Sequence, residues 1–151
     1  MVTLVTFYSC KPSLPEEVQL AYEELPEALD FNIHVKPILS DKCFACHGPD
    51  KAVQKAGLHF DDPESAFGEL PESPDKVAIS PGNLAKSEMF HRIVSDDPDF
   101  RMPTPESNLS LNPREKAILI KWIEDGAVYK EHWAFIKPET VPLGVRRPNE
   151  S

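Results

Sequence analysis

The chain has 151 residues, enough for one domain of roughly 100 residues with a tail at each end. Its formal net charge of −9 argues against binding to nucleic acid, whose phosphates require a basic face. Sixteen prolines against six glycines predict short helices joined by stiff, extended loops, and they leave little room for a sheet.

The first ten residues contain a short apolar run that ends at Cys10. A small residue precedes this cysteine, as it does before the acylated residue of a bacterial lipoprotein signal. The run is short and lacks basic residues at its start, so the alternatives are a true start further upstream or an unstructured tail. Nowhere does the chain approach the roughly 20 apolar residues needed to cross a bilayer. We therefore expect any membrane attachment to be through lipid on Cys10.

Residues 11–30 carry six acidic side chains, one lysine and three prolines, without a clear apolar period. This composition predicts an extended tether between residues 1–10 and a domain. The alternative is a short solvated helix around Val18 to Leu25. Neither interpretation gives this segment any chemistry.

The spacing of Cys43, Cys46 and His47 is the Cys-x-x-Cys-His spacing at which c-type haem is attached. On a helix, positions i, i+3 and i+4 share one face, so both thiols and the imidazole reach one flat ligand together. Pro37 and the apolar residues after it predict a helix over 34–47 that carries this motif at its end. The sequence therefore predicts one covalent haem c. A disulfide and half of a zinc site are the alternatives.

The region after the motif is polar and rich in proline, and it predicts a long loop around the haem with one helical turn after Pro63. Asn83 is a predicted N-cap for a helix over 84–95 that has an apolar face. The best-defined helix begins after Asn112, where an asparagine, a proline and a glutamate stand in N-cap, N1 and N3 order, and it ends at Gly126.

The second iron ligand decides the class of function. A haem with an open position can bind gases or peroxide, whereas a haem with two protein ligands is usually an electron carrier. Met102 is the favoured candidate, because it lies in an irregular, proline-flanked loop where a methionine has little reason to pack. Met89 lies on the apolar face of a predicted helix and is more typical of core filling. The other possibilities are no second ligand or a histidine outside the motif, namely His34, His59, His91 or His132.

Three further side chains are weaker candidates for haem contact. Trp122 and Phe90 are aromatic residues suited to packing on a porphyrin, and Arg101 is suited to neutralising a propionate. Ordinary core packing for the two rings and a solvated charge for the arginine are equally good interpretations.

The order of a haem-binding helix, a long loop, a Met-Pro loop and an amphipathic last helix resembles that of class I cytochrome c. More narrowly, the chain resembles the planctomycete-type cytochrome c domain in four segments, FNIHVKPILSDKCFACHGPD, KAGLHFD, ISPGNLAKSEMFHRIVSDDPDFRMPTPES and LNPREKAILIKWIEDGAVYKEHWAF. The resemblance implies an all-α fold wrapped around one covalent haem. It also implies that Cys43 and Cys46 are the attachment sites, that His47 is the proximal ligand and that Met102 is the distal one. In that family the domain usually heads a much longer chain.

The predicted organisation is a lipoprotein-like segment at 1–10, a tether at 11–30, a cytochrome c domain at 31–136 and an unstructured tail or truncated linker at 137–151. We expect a monomeric electron carrier whose redox protein partners dock weakly at the haem edge. Because haem attachment occurs outside the cytoplasm, we expect export to the periplasm or the outer membrane. The alternatives are an open-site haem enzyme or sensor, with peroxidase or gas-binding activity, and a haem-stapled binding module of a larger protein associated with polysaccharide degradation.

Overall fold

The computed structural model describes residues 12–130, and its regular structure is mostly helical. Helix α1 spans Glu16–Glu23. Helix α2 covers residues 31–47 in four consecutive pieces: π-helical Phe31–Val35, α-helical Lys36–Ile38, π-helical Leu39–Cys43 and α-helical Phe44–His47. Three more helices follow in chain order, namely α3 at Pro63–Phe67, α4 at Glu88–Ile93 and α5 at Pro113–Glu124. Single 3₁₀ turns lie at Leu84–Lys86 and Pro105–Ser107.

A two-stranded antiparallel hairpin lies between α3 and α4, and it departs from the predicted all-α class. Strand β1 is Glu69–Leu70 and strand β2 is Ser73–Val77, with an irregularity in register between the two residues of β1. Strand β2 contains Pro74 and mostly exposed polar side chains, so it lacks the apolar alternation that indicates a strand. The fold is therefore helix-rich with one small sheet.

Helix α1 belongs to the folded core, which makes the prediction of an extended tether wrong for residues 16–23. The helix packs against α5, and Val18 is completely buried. The hydroxyl of Tyr22 donates a hydrogen bond to the carboxylate of Glu124 on α5. The alternative of a short helix is confirmed for this range, but the helix is not solvated on all sides, because Val18 is buried against the core.

Helix α2 begins three residues earlier than the predicted position 34, because Asp30 caps it. The Asp30 carboxylate accepts hydrogen bonds from the backbone N–H groups of Asn32 and Ile33, at 2.9 and 3.2 Å. Pro37 consequently lies inside the helix rather than in its first turn. The helix ends at Gly48, where an added Cβ atom would lie 2.5 Å from the carbonyl oxygen of Phe44. Only glycine fits this close approach of the chain to its own helix.

The predicted helix over 84–95 is divided in two at Ser87. Asn83 does cap the first part, since its side chain accepts a hydrogen bond from the N–H of Lys86 at 3.1 Å. The fully buried Ser87 hydroxyl then accepts from the N–H of Ser80 at 2.9 Å and donates to the carbonyl of Asn83 at 2.8 Å. These bonds satisfy a buried polar group but interrupt the helix, which resumes as α4 at Glu88.

The predicted capping at the start of α5 is confirmed. The Asn112 side chain accepts from the Glu115 N–H at 2.9 Å, and the Glu115 carboxylate accepts from the Asn112 N–H at 2.8 Å. Gly126, with a positive φ of 99°, ends the helix. The single turn after Pro63 is also confirmed, as α3. No helix within residues 12–130 is long and apolar enough to cross a membrane.

The core lies where α1 and the first part of α2 pack on α5. Its aromatic part joins Phe31 to Trp122, with ring centroids 5.7 Å apart, and to Tyr129, at 4.8 Å. The Trp122 indole N–H donates to the carbonyl of Val128 at 3.1 Å, which holds the chain after α5 against that helix. This packing fixes α2 at its start and leaves its last turn free to border a cavity.

Candidate functional site

A cavity of about 460 Å³ lies between the last turn of α2, the hairpin, α4 and the loop that follows α4. Its volume is in the range of pockets for small molecules and cofactors. Its wall is largely apolar and includes Leu58, Phe60, Ile93, Leu109 and Leu119. The same wall contains five residues singled out from the sequence, namely Cys43, Cys46, His47, Met89 and Met102.

Both motif cysteines are free thiols at the cavity wall. Burial and, to a smaller extent, the negative charge of Glu115 together raise the pKa of the Cys43 thiol to about 12, so this group is protonated at neutral pH. Within residues 12–130, no group of three or more His, Cys, Asp and Glu side chains is placed to hold a metal ion. In this part of the chain, the geometry therefore favours neither the disulfide alternative nor the zinc alternative.

His47 presents one ring nitrogen to the backbone. Its Nδ1 atom lies 3.3 Å from the carbonyl oxygen of Leu58, so Nδ1 carries the proton and donates it, and the Nε2 lone pair remains for a ligand. The Phe60 ring packs against the imidazole with centroids 5.6 Å apart and an interplanar angle of 70°. Burial lowers the pKa of His47, as does the positive charge of Arg92, although two backbone hydrogen bonds oppose this shift. The ring is therefore held neutral, which is the form that ligates a metal.

The segment after the motif is tied to it by backbone hydrogen bonds. The N–H of Lys55 donates to the carbonyl of Cys46, and the N–H of Phe60 donates to the carbonyl of His47, both at 2.8 Å. These bonds place Leu58 and Phe60 beside the imidazole. The orientation of His47 is thus fixed by its own neighbourhood along the chain.

Met102 lies in the loop that follows α4, and its side chain is half-buried at the cavity wall. The N–H of Met102 donates to the carbonyl of Arg92 at 3.1 Å. Met89 borders the same cavity from α4, but it is buried with the hydrophobic core. Both methionines therefore border the space in which a ligand would be held.

The three weaker candidates for haem contact do not line the cavity. Trp122 and Phe90 are buried in the core, with Trp122 against Phe31 and Tyr129, while Arg101 is exposed. The basic residues in the wall are instead Lys42, Lys55 and Arg92.

Sequence reasoning did not single out Arg92. The available signal was its i, i+4 spacing from Glu88, which is typical of a helical ion pair.

The histidines outside the motif do not reach the cavity where the structure describes them. His34, His59 and His91 each hydrogen-bond to a group close by in sequence, and none lines the cavity. His132 and Cys10 lie outside the described residues, so the proposed lipidation of Cys10 stays a prediction. Apart from the tether, the division of the chain into segments also stays a prediction.

The residues of this cavity fit a covalently attached haem. Two thiols stand at the spacing of the attachment motif, a neutral imidazole follows them, and a methionine thioether borders the same apolar space. His47 would be held in the tautomer that ligates through Nε2, and the apolar wall would exclude water from most of a macrocycle.

Comparison with known proteins agrees with a site that binds haem. No curated protein and no solved structure significantly matches the chain. Residues 43–107 match the family model described as Planctomycete cytochrome C. The matched segment starts at the first motif cysteine and ends five residues after Met102, so it includes all five of the sequence-derived residues in the cavity wall. Over these residues the chain is therefore similar to planctomycete-type cytochrome c.

Proposed function

We propose that this domain holds one haem c and carries single electrons, with His47 and Met102 as the axial ligands of the iron. A cytochrome c family domain binds haem and generally serves in electron transfer rather than catalysis. The observation that supports the finer proposal is the single cavity whose wall contains the two motif thiols, the imidazole and a loop methionine. Haem supplies the one-electron couple when it is bound.

Cys43 and Cys46 would attach the haem. Each thiol would add its S–H across one vinyl group of the haem to form a thioether, an addition that needs neither an oxidant nor a reductant. The free thiols at the wall of the cavity are the form that this addition needs. Attachment by two bonds also compensates for the small hydrophobic core of a domain of this size.

His47 would supply the proximal nitrogen. The hydrogen bond from Nδ1–H to the Leu58 carbonyl fixes the ring and raises the basicity of Nε2. Burial keeps the imidazole neutral, so the ligand is present without the loss of a proton on binding.

Met102 is preferred over Met89 as the distal ligand because of where each residue lies. Met89 is part of the core packing of α4, whereas Met102 is half-buried in a loop and does not belong to the hydrophobic core. A thioether ligand favours ferrous iron and raises the reduction potential relative to a second imidazole. With two protein ligands in both redox states, the iron would change charge without exchanging ligands, which suits rapid electron transfer.

The discriminating experiment is carbon monoxide binding to the reduced holoprotein. The wild-type protein should resist CO because both axial positions are taken, and Met102→Ala should bind it rapidly. Met89→Ala is the matched control and should behave as the wild type does. Rapid and complete CO binding by the wild-type protein would support an open-site enzyme or sensor, and CO binding by Met89→Ala alone would assign the distal ligand to Met89.

We further propose that the protein is exported, anchored through lipid on Cys10, and acts as a monomer that meets its redox partners at the haem edge. The support is the motif, whose haem is attached outside the cytoplasm, together with the position of Cys10 after a short apolar run. Expression of the Cys10→Ser variant, followed by fractionation of the cells, tests the anchor. The wild type should be found with membranes and the variant should be released from them.

A further inference from the structure

Arg92 contacts the chain on both sides of Arg101, at Phe100 and at Met102. Its guanidinium Nη1 donates to the carbonyl oxygen of Phe100 at 3.3 Å, and its carbon Cζ lies 4.5 Å from the centroid of the Phe100 ring. Its own carbonyl oxygen accepts the hydrogen bond from the N–H of Met102 at 3.1 Å. One residue near the end of α4 thus holds the backbone and a side chain of the loop that carries the proposed distal ligand.

The Arg92 side chain is itself held in place by Glu88. The carboxylate Oε2 of Glu88 lies 3.6 Å from Arg92 Nε, one helical turn away, and its Oε1 lies 2.8 Å from Lys76 Nζ on strand β2. Only 11% of the Glu88 side chain is exposed, so solvent screens this pair less than it screens a surface pair. The three charges form a chain from the hairpin, through α4, to the loop of Met102.

In the loop between α4 and Met102, Val94 packs against the hydrophobic core, whereas residues 95–101 are not part of that core. Residues 96–99 are exposed, and the N–H groups of Phe100 and Arg101 bond to the carbonyl of Asp97, within the loop itself. Contacts that stay inside a loop set its shape but not its position on the domain. Its position therefore depends strongly on the contacts made by Arg92, which also borders the cavity.

We propose that Arg92 is a positioning residue for Met102. By its contacts with Phe100, Arg92 would hold the loop so that the Met102 thioether reaches the distal side of the haem. This inference rests on the proposed ligation by His47 and Met102. A guanidinium suits the role because it can donate to a carbonyl, stack on a ring and pair with a carboxylate at the same time. A lysine ammonium has the charge but neither the planar face nor the fixed geometry.

The test compares Arg92→Leu and Arg92→Lys with the wild-type holoprotein. The readouts are the ferric absorption band of iron–thioether ligation and the rate of CO association with the ferrous protein. In Arg92→Leu the band should weaken, and CO association should accelerate about tenfold or more, as expected when a charge-assisted hydrogen bond no longer opposes loop opening. Arg92→Lys should give an intermediate rate. The control is Arg114→Leu, which removes one exposed arginine at the start of α5 and should leave both readouts unchanged.

A second variant covers the case in which Arg92→Leu fails to fold. Phe100→Ala removes the ring under the guanidinium but leaves the ion pair of Arg92 with Glu88, and it should accelerate CO association several-fold. The positioning role would be overturned if Met102→Ala bound CO rapidly but a folded Arg92→Leu kept the wild-type rate and spectrum. The same conclusion would follow if Phe100→Ala and Arg92→Lys both kept the wild-type rate and spectrum. A wild-type protein that binds CO as fast as Met102→Ala would instead overturn the proposed ligation.

Discussion

The Nδ1 atom of His47 lies 3.3 Å from the carbonyl oxygen of Leu58, eleven residues further along the chain. A carbonyl can only accept, so this contact assigns the ring proton to Nδ1 and directs the Nε2 lone pair away from the backbone. The motif predicts which histidine would ligate iron, and the fold indicates which of its two nitrogens remains for a ligand.

The first prediction concerns this imidazole. In His47→Gly, the haem-bearing fraction should lose the low-spin ferric spectrum, because the proximal nitrogen is gone while both thioethers remain. Added free imidazole should restore that spectrum, since the Leu58 carbonyl can accept the N–H of the added ring. Absorption spectroscopy with and without imidazole provides the measurement. A low-spin spectrum in the variant without imidazole would contradict ligation by His47.

The second prediction concerns the two attachment thiols. After denaturation, the wild-type protein should keep the mass of one haem, and the double variant Cys43→Ser/Cys46→Ser should keep none. Each single variant should retain haem through one thioether. Intact mass spectrometry under denaturing conditions measures this, with Cys10→Ser as the control that keeps the full haem mass. Covalent haem in the double variant would place the attachment elsewhere.

The third prediction concerns the packing of α1 on α5. Val18→Ala removes two buried methyl groups and should lower the free energy of unfolding by about 2 kcal/mol. Leu20→Ala is the matched control on the same helix, since 58% of Leu20 is exposed, and it should change stability by less than about 0.5 kcal/mol. Urea denaturation of the holoprotein measures both values. If both variants lowered the free energy of unfolding by the same small amount, residues 16–23 would be better described as a tether than as part of the core.

The fourth prediction is a dependence of stability on pH that arises from Asp30. The hydrogen bond from Lys130 is the main cause that lowers the pKa of this carboxyl below its ordinary 3.8, and the backbone N–H groups at the start of α2 contribute. A lowered pKa means that the folded state favours the carboxylate, so the stabilisation is complete above pH 3.8 and is lost as the pH falls through the folded pKa.

Asp30→Asn keeps a capping oxygen but loses the charge. The wild type should therefore be more stable than Asp30→Asn at pH 7, and the gap should close as the solution is acidified below about pH 4. Urea midpoints measured between pH 7 and pH 3 test this. Asp75→Asn, at an exposed position of β2, is the control. A gap that stays constant over this range would show that the charge of Asp30 does not stabilise the fold.

Local patterns in the sequence predicted the parts of the structure that local forces determine. Asn112 and Glu115 form a capping box because both partners lie within one helical turn, and this box needs no tertiary contact. The attachment motif lies at the end of a helix for a similar reason. The Met102 loop could also be singled out, because a methionine between charged residues and prolines has no local reason to be there.

Other features depend on neighbours distant in sequence, and local patterns did not show them. The amphipathic pattern of α5 indicates that Trp122 is buried, but it does not indicate against what, and its partners are Phe31 and Tyr129 rather than the cavity. Ser87 interrupts a helix because its hydroxyl meets the backbone of Ser80, seven residues earlier. Arg92 resembles a solvated helical charge until the loop at Phe100 is brought next to it.

The two π-helical turns of α2 determine the direction in which the haem motif faces. Successive residues of an α-helix are rotated by about 100° around the helix axis. A π-helical turn contains roughly one residue more, so the rotation per residue is smaller there. The angle between the side chains of Phe31 and Cys43 around the helix axis therefore depends on the two π-helical turns, and a regular α-helical wheel would give a different angle. Tightening either turn to α pitch would swing the cysteine around the helix axis by about 100° and away from the space it shares with Met102.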